Sequence, residues 1–534
     1  MHLDYRAPDD LARAVERLVD DQIASKIAAQ NPTLWGKEAE EESAKRLGWV
    51  RLPQTSRPLL AEIEALQAEL REEGVTRVVL AGMGGSSLAP EVICASDGVE
   101  LVTLDTTDPG QVAAAFATDL ERTVVVVSSK SGGTVETDSH RRTAEQLLSD
   151  AGIDPASRIV VVTDPGSPLQ KASEEAGYRK VFLADPSVGG RYSALTAFGL
   201  VPSGLAGADI SALLDDAADV AGDLAADSID NPALVLGALM AAAERSGSEK
   251  LVFAPAGTAN EGFADWVEQL IAESTGKQGK GILPVAVAGR DSPGFADAGG
   301  DAVKVALGTG PVPNGGAAYA VANDGPLGAQ FLLWETATAV AGHLIGINPF
   351  DQPNVEEAKA MARELLDAPS GAAAEEPLLQ DDVLAVYAFG DELTGCDSLE
   401  DAIGRLIAAV PDAGYLAVMA YLDRMRDTAI EPIRDELARR AGTQVTFGWG
   451  PRFLHSTGQY HKGGHQNGAF LQITADCESD LAVPGRGYSF HTLQLAQAAG
   501  DGAVLADKNR PVLRVHLKDR AAGIRAVLAA VRVS

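Results

Sequence analysis

Residues 123–137 read TVVVVSSKSGGTVET. Four consecutive valines are apolar and β-branched, which predicts a strand buried on both faces. The loop that follows carries the hydroxyls of Ser128, Ser129, Ser131 and Thr134, the amine of Lys130, and two glycines, with no acidic side chain before Glu136. From Val135 onward the pattern reads as helix. A donor-rich loop between a buried strand and a helix N-terminus is built to hold an anion, because bare N–H groups and the helix dipole favour negative charge there.

Around this unit the same plan repeats. TRVVLAG (76–82), ELVTLD (100–105), RIVVVTD (158–164) and RKVFLAD (179–185) are short apolar runs separated by helical segments. Continuous Val/Leu strands alternating with helices predict a parallel sheet covered on both faces. GADISALLDDAADVAGDLAA (207–226) reads as a helical connector. A second alternating region follows, with KLVFAPAG (250–257), the helix FADWVEQLIAESTGK (263–277), and the strands ILPVAVAG, AVKVALG and AYAVAND. The first 55 residues, beginning MHLDYRAPDDLARAVERL, carry an acidic amphipathic helix pattern rather than the apolar stretch of a secretion signal. PSGAAAEEPLLQDD (369–382) reads as a linker, followed by helices to about residue 441 and then by short strands such as QVTFGWG, GAFLQIT and VLRVHLK. The expected architecture is therefore α/β. Residues 1–55 are helical, 56–206 and 207–368 form two doubly wound parallel-sheet domains, and 369–534 form a helical and mixed C-terminal region.

Composition narrows the function. The chain has 534 residues, 46% of them hydrophobic and 22% charged, as in an ordinary globular protein of two or more domains. A net charge of −31 would repel nucleic acid and anionic membranes. It also means that an anionic ligand needs a local positive device, which SSKSGG supplies. Cys94, Cys396 and Cys477 are the three cysteines, too few for a disulfide framework, and suggest a reducing cytoplasm.

GMGGSS (82–87), with Asp105 at the end of the next strand, resembles a dinucleotide fingerprint. A compact phosphate explains more. Two neighbouring strand ends, GGSS and SSKSGGT, both present hydroxyls and bare amides, whereas a dinucleotide accounts only for the first. Gln269 and Glu273 lie i, i+4 on one face of a helix made largely apolar by Trp266, Leu270 and Ile271. Arg191 follows two glycines, Gly189 and Gly190, that let backbone approach a ligand. Gln352 and Lys359 lie seven apart, two turns if the segment is helical. Taken singly, each of these charged residues would read as a solvated surface group. His343, in an apolar helix, reads as a packing residue, and His455, His461 and His465 lie close enough together to raise a metal site, although no cysteine or acid accompanies them.

GMGGSSL, SSKSGGTVET, GGRYSALTAFGL (189–200), EQLIAESTGK (268–277) and NPFDQPNVEEAK (348–359), in that order, resemble the glucose-6-phosphate isomerases, including the isomerase half of transaldolase–isomerase fusions. The resemblance implies two sugar-isomerase-type domains and a cofactor-free, metal-free interconversion of glucose 6-phosphate and fructose 6-phosphate through ring opening and a cis-enediolate. It implies Glu273 as the base moving a proton between C1 and C2, Arg191 as the cation facing the enediolate, and Lys359 as an aid to ring opening. Gly85, Ser86, Ser129, Lys130, Ser131, Thr134, Gln269 and Gln352 would surround the phosphate. LHSTGQYHKGG (454–464) resembles a further family segment and makes His455 the ring-opening residue. In the family that segment normally precedes NPFDQ, and here it follows it. The resemblance also implies a homodimer in which the neighbouring subunit supplies the histidine. A non-catalytic sugar-phosphate sensor would need the Ser/Thr loops but not Glu273, Arg191 and Lys359, and an isomerase of another phosphosugar, such as mannose 6-phosphate, would need all of them.

Overall fold

The computed structural model, which describes residues 1–354, 357, 361, 364, 366, 376–390 and 393–532, opens with a strand rather than a helix. This strand, β1 (His2–Arg6), pairs antiparallel with a strand more than 300 residues away, and the helix begins only at Leu11, where Leu11, Val15 and Leu18 turn into the core. Sheet pairing satisfies the backbone of residues that carry a helical pattern, so tertiary context overrides the local signal.

The first sheet contains β2 (Arg77–Gly82), β3 (Val102–Leu104), β4 (Thr123–Ser128), β5 (Ile159–Thr163) and β6 (Lys180–Leu183), all parallel in the order β3-β2-β4-β5-β6. The winding reverses between β2 and β4. In an open α/β sheet the crevice beyond the carboxyl ends of the strands at such a reversal is where ligands bind, and GGSS and SSKSGG are the two loops that leave β2 and β4 there.

The second sheet, β1-β10-β9-β7-β8, uses β7 (Lys250–Pro255), β8 (Leu283–Ala286), β9 (Ala302–Leu307) and β10 (Tyr319–Asp324). Its parallel strands wind in the same sense, with the reversal between β7 and β9. The helix Leu327–Ile345 is buried almost all round and packs on the helices Pro232–Arg245 and Ile210–Leu224. This explains why its hydrophobicity shows no single face.

The C-terminal region is mixed, as expected, but its sheet begins earlier in the chain than the sequence suggests. It forms a third wound sheet, β11-β12-β16-β15-β13-β14, from β11 (Leu379–Gln380), β12 (Leu384–Phe389), β13 (Tyr415–Ala420), β14 (Gln444–Trp449), β15 (Gly468–Ala475) and β16 (Val512–Leu517). Four of these strands are parallel and reverse between β13 and β15, while β12 runs antiparallel to β16. Two strands, β12 and β13, therefore stand where helices were expected. The sheet has its own core, and a further apolar cluster joins Val252 and Val285 of the second sheet to Tyr415, Tyr421 and Phe470 of the third. That joint core seats the carboxyl end of β14 beside the first sheet's switch point.

Candidate active site

The loops at the switch point line one cavity of about 410 Å³. Its walls include Gly85, Ser86, Ser129, Lys130, Ser131, Thr134, Arg191, Gln269, Glu273, Gln352 and His455, so every site residue expected from the sequence lies at one place except Lys359, which falls outside the described residues. Arg46 and Asp164 also face it.

Close backbone approach explains two of the glycines. Gly84 has φ +55°, and a Cβ on Gly85 would stand 2.0 Å from the Gly190 carbonyl oxygen. The GGSS loop is thus pressed against GGRYS, which brings Arg191 over the ends of β2 and β4. In the other loop, the Ser129 hydroxyl accepts from the Gly132 N–H at 3.2 Å and lies 3.3 Å from the Thr134 hydroxyl, and the Ser131 hydroxyl accepts from the Gly133 N–H at 3.2 Å. Thr134 stands at the N-cap of the helix Val135–Asp150, yet its side chain caps nothing. The loop is a ring of hydroxyls at a helix N-terminus, the arrangement that suits a phosphate. Lys130 is held by Asp164 at 2.6 Å. Burial raises the Asp164 carboxyl, against the lowering effect of that amine.

Arg191 is 2% exposed and fixed on three sides. Its Nε donates to Ser274 Oγ at 2.9 Å, Nη1 to Gln352 Oε1 at 2.5 Å, and Nη2 to the Pro349 and Asp351 carbonyls at 2.8 and 2.9 Å. Nη1 lies 3.7 Å from Glu273 Oε2. Gln352 sits in a loop just after NPFD rather than on a helix face, so the expected helical pairing with Lys359 does not begin there. Beneath Arg191, Lys277 donates to the Asn348 carbonyl and to the carbonyl and carboxylate of Asp351. Burial and the nearby Arg191 charge push its pKa down to about 7, against Asp351.

Glu273 lies on the buried face of the helix Phe263–Thr275, as its spacing from Trp266 and Leu270 predicts. The Gln269 amide donates to Glu273 Oε2 at 3.2 Å and to the His455 carbonyl at 2.8 Å, so it ties the carboxylate to the histidine turn as well as lining the cavity. His455 ends the 3₁₀ turn Arg452–His455 that follows β14. Its Nε2 lies 3.0 Å from Glu136 Oε1, and Gln497 Nε2 donates to the same oxygen at 2.7 Å.

Within this single chain, His455 and Glu273 line the same cavity. Asp105, placed where a dinucleotide site would carry its ribose acid, is buried and paired with Arg452 at 2.5 Å. The sequence reading missed Glu136, although it belongs to the quoted loop: its place on the first turn of a helix that starts at the cavity was the available signal. The other histidines lie apart from the cavity. His461 Nδ1 lies 2.9 Å from the Tyr415 hydroxyl, His465 Nε2 lies 3.2 Å from Glu249, and His343 Nδ1 lies 2.6 Å from the Leu34 carbonyl. No group of three His, Cys, Asp or Glu side chains among the described residues is arranged to hold a metal ion. No helix among them is long and apolar enough to cross a membrane.

A model of the phosphoglucose isomerase family matches residues 67–285. The glucose-6-phosphate isomerase of Heliobacterium modesticaldum is 30% identical over 399 residues, which are 60% of this chain and 87% of that protein. A probable glucose-6-phosphate isomerase of Haloarcula marismortui is 35% identical over 237 residues, 42% of this chain, and the match spans about half of that relative's length (54%). Among solved structures, a hypothetical protein of Thermus thermophilus is similar with a TM-score of 0.58 and 25% identity, covering 69% of this chain and all of that one. A glucose-6-phosphate isomerase of Chlamydia trachomatis shares the fold at TM-score 0.56 and 19% identity, over 68% of this chain and 88% of that one. The family model ends before β9, so the third sheet and His455 lie outside it.

Proposed function

This chain belongs to the glucose-6-phosphate isomerase family, and we infer that it interconverts glucose 6-phosphate and fructose 6-phosphate, a step of glycolysis and gluconeogenesis. The observation that carries the reading is the convergence of a buried carboxylate, a carboxylate-paired imidazole and a hydroxyl-lined anion cradle on one cavity. Ser86, Ser129, Lys130, Ser131, Thr134 and Gln269 hold the phosphate, with Gln352 near it. His455, oriented by Glu136, moves a proton at the ring oxygen to open the pyranose, a task suited to imidazole near neutral pH. Lys359, of the resembling family segment, assists. Glu273 takes the proton from one carbon and returns it to the next, and Arg191 stabilises the enediolate with a charge already fixed before the reaction begins.

On this reading residues 56–206 and 207–368 are the two sugar-isomerase domains, and 369–534 is a third unit that supplies the histidine. The protein works in the cytoplasm as a homodimer whose chains each carry a complete site, without a role for nucleic acid or membrane. A coupled assay on metal-stripped protein tests the activity. Glucose 6-phosphate should form from fructose 6-phosphate, and Glu273→Gln should lower turnover by on the order of 10²–10⁴. Binding of fructose 6-phosphate without turnover would leave a sensor, and turnover of mannose 6-phosphate alone would make it a different isomerase.

A further inference from the structure

The histidine reaches the cavity on a turn that belongs to a different sheet from every other wall, so something must hold that turn in place. Arg452 begins the 3₁₀ turn that His455 ends. Residues three apart in a 3₁₀ turn eclipse one another, so both side chains leave the turn toward the first sheet. Arg452 Nη1 meets Asp105 Oδ2, and Nη2 meets Glu91 Oε2, each at 2.5 Å. Asp105 is fully buried. Arg424, from the loop after β13, reaches the same acids, at 2.7 Å from Glu91 and 3.7 Å from Asp105. A third arginine, Arg520, joins Asp108 at 2.9 Å and Asp427 at 3.0 Å. The carboxyl ends of the third sheet's strands are therefore docked on the loop that leaves β3 and on the helix Leu88–Ser96 by guanidinium–carboxylate pairs. Burial raises Glu91, but Arg452 and Arg424 outweigh it and bring its pKa to about 2.

We propose that Arg452 is a positioning residue: through Asp105 and Glu91 it locks the third α/β unit to the first sheet and so holds His455 against Glu136. This rests on the isomerase reading for the role of His455, but not for the docking itself. Arg452 does not line the cavity, and its effect passes through the turn. Removing the guanidinium alone strands a buried carboxylate, which can disrupt the fold. Arg452→Met paired with Asp105→Asn removes the fully buried carboxylate together with the guanidinium, and Glu91 keeps Arg424 at 2.7 Å.

Two measurements on the full-length protein test the idea. The first is fructose 6-phosphate turnover by wild type, R452M/D105N, H455A and the triple variant. R452M/D105N should lose about 10- to 100-fold in kcat, part of what a placed acid–base group contributes, with KM nearly unchanged, and should cost nothing further once His455 is absent. A merely structural role would add its cost in the H455A background too. The second is the rate at which diethyl pyrocarbonate modifies His455, followed by peptide mass spectrometry. It should rise several-fold in R452M/D105N while the melting temperature stays near wild type. Unchanged kcat, an equal loss in the H455A background, or unchanged His455 modification would each overturn the proposal. Inactive wild type would overturn the isomerase reading instead, leaving the modification rate to decide the docking.

Discussion

His455 Nε2 lies 3.0 Å from Glu136 Oε1, across 319 positions of sequence. The pair joins the helix after β4 to the turn after β14, and a second bond from Gln497 fixes the carboxylate from behind. Gln497 is itself held by the Thr107 hydroxyl at 2.9 Å. A carboxylate on one ring nitrogen orients the imidazole and fixes which nitrogen faces the cavity.

Glu136→Gln should therefore lower kcat by on the order of 10²-fold, at the lower end of what a positioned acid–base group contributes. KM for fructose 6-phosphate should stay close to wild type, because the phosphate loop is untouched. Steady-state kinetics with glucose 6-phosphate and fructose 6-phosphate measure both. A Glu136→Gln enzyme with normal kcat would show that the pairing does not serve the reaction.

The phosphate loop makes a different demand. Ser129→Ala with Thr134→Ala removes two hydroxyls from the ring around the cradle and deprives the Gly132 N–H of its acceptor. Each lost bond to a charged ligand costs roughly 1.5–3 kcal/mol. The phosphate is held alike in ground and transition states, so the loss should appear mainly in KM and in the Kd of a non-reacting sugar phosphate. Titration calorimetry with such an analogue reads it directly. An unchanged Kd would remove the loop from the binding site.

The first sheet and the parallel strands of the second were legible because their short apolar runs alternate with helical segments and loops, and so were β14, β15 and β16 of the third. β1, β12 and β13 were not. LAVYAF (384–389) and YLAVMA (415–420) become β12 and β13, but they are rich in Leu, Ala and Met, residues that also favour helix. A short apolar run carries no period that separates buried strand from buried helix. The site shows the same division. The Ser/Thr loop shows in local spacing, and the i, i+4 pair Gln269 and Glu273 shows only as one face of a largely apolar helix. Glu136 carried a local signal in its place on the first helical turn, but its pairing with His455 and the Arg452–Asp105 clamp come from docking between units, which the sequence does not mark.

Lys277 gives a pH signature beneath the site. Its folded-state pKa is near 7, whereas the unfolded chain keeps that proton to about 10.4. Between those values unfolding takes up a proton, so this group makes stability rise with pH, by up to about 1.4 kcal/mol per unit. Lys277→Met should remove that slope. Urea unfolding of both proteins at several pH values from about 7.5 to 9.5, inside that window, reads the difference, in which the repulsion of the acidic surface cancels. Parallel curves would show that Lys277 keeps its proton in the fold.

The decisive test of the histidine's origin is complementation. Glu273→Gln and His455→Ala each remove one essential group, and each should be nearly inactive alone. In this chain both groups line the same chain's cavity. A mixed dimer of the two variants then holds one site without its base and one without its histidine, and co-expression should leave activity at background. If a neighbouring subunit supplied the histidine instead, random pairing would make about half the dimers mixed. Each mixed dimer would hold one intact site, restoring roughly a quarter of the sites. Dimer formation must be verified first, by light scattering and by co-purification of differently tagged chains, so that background activity cannot reflect unpaired chains. Background activity in verified mixed dimers supports a histidine acting within its own chain. Recovery to near a quarter would mean that the C-terminal unit reaches across to its neighbour.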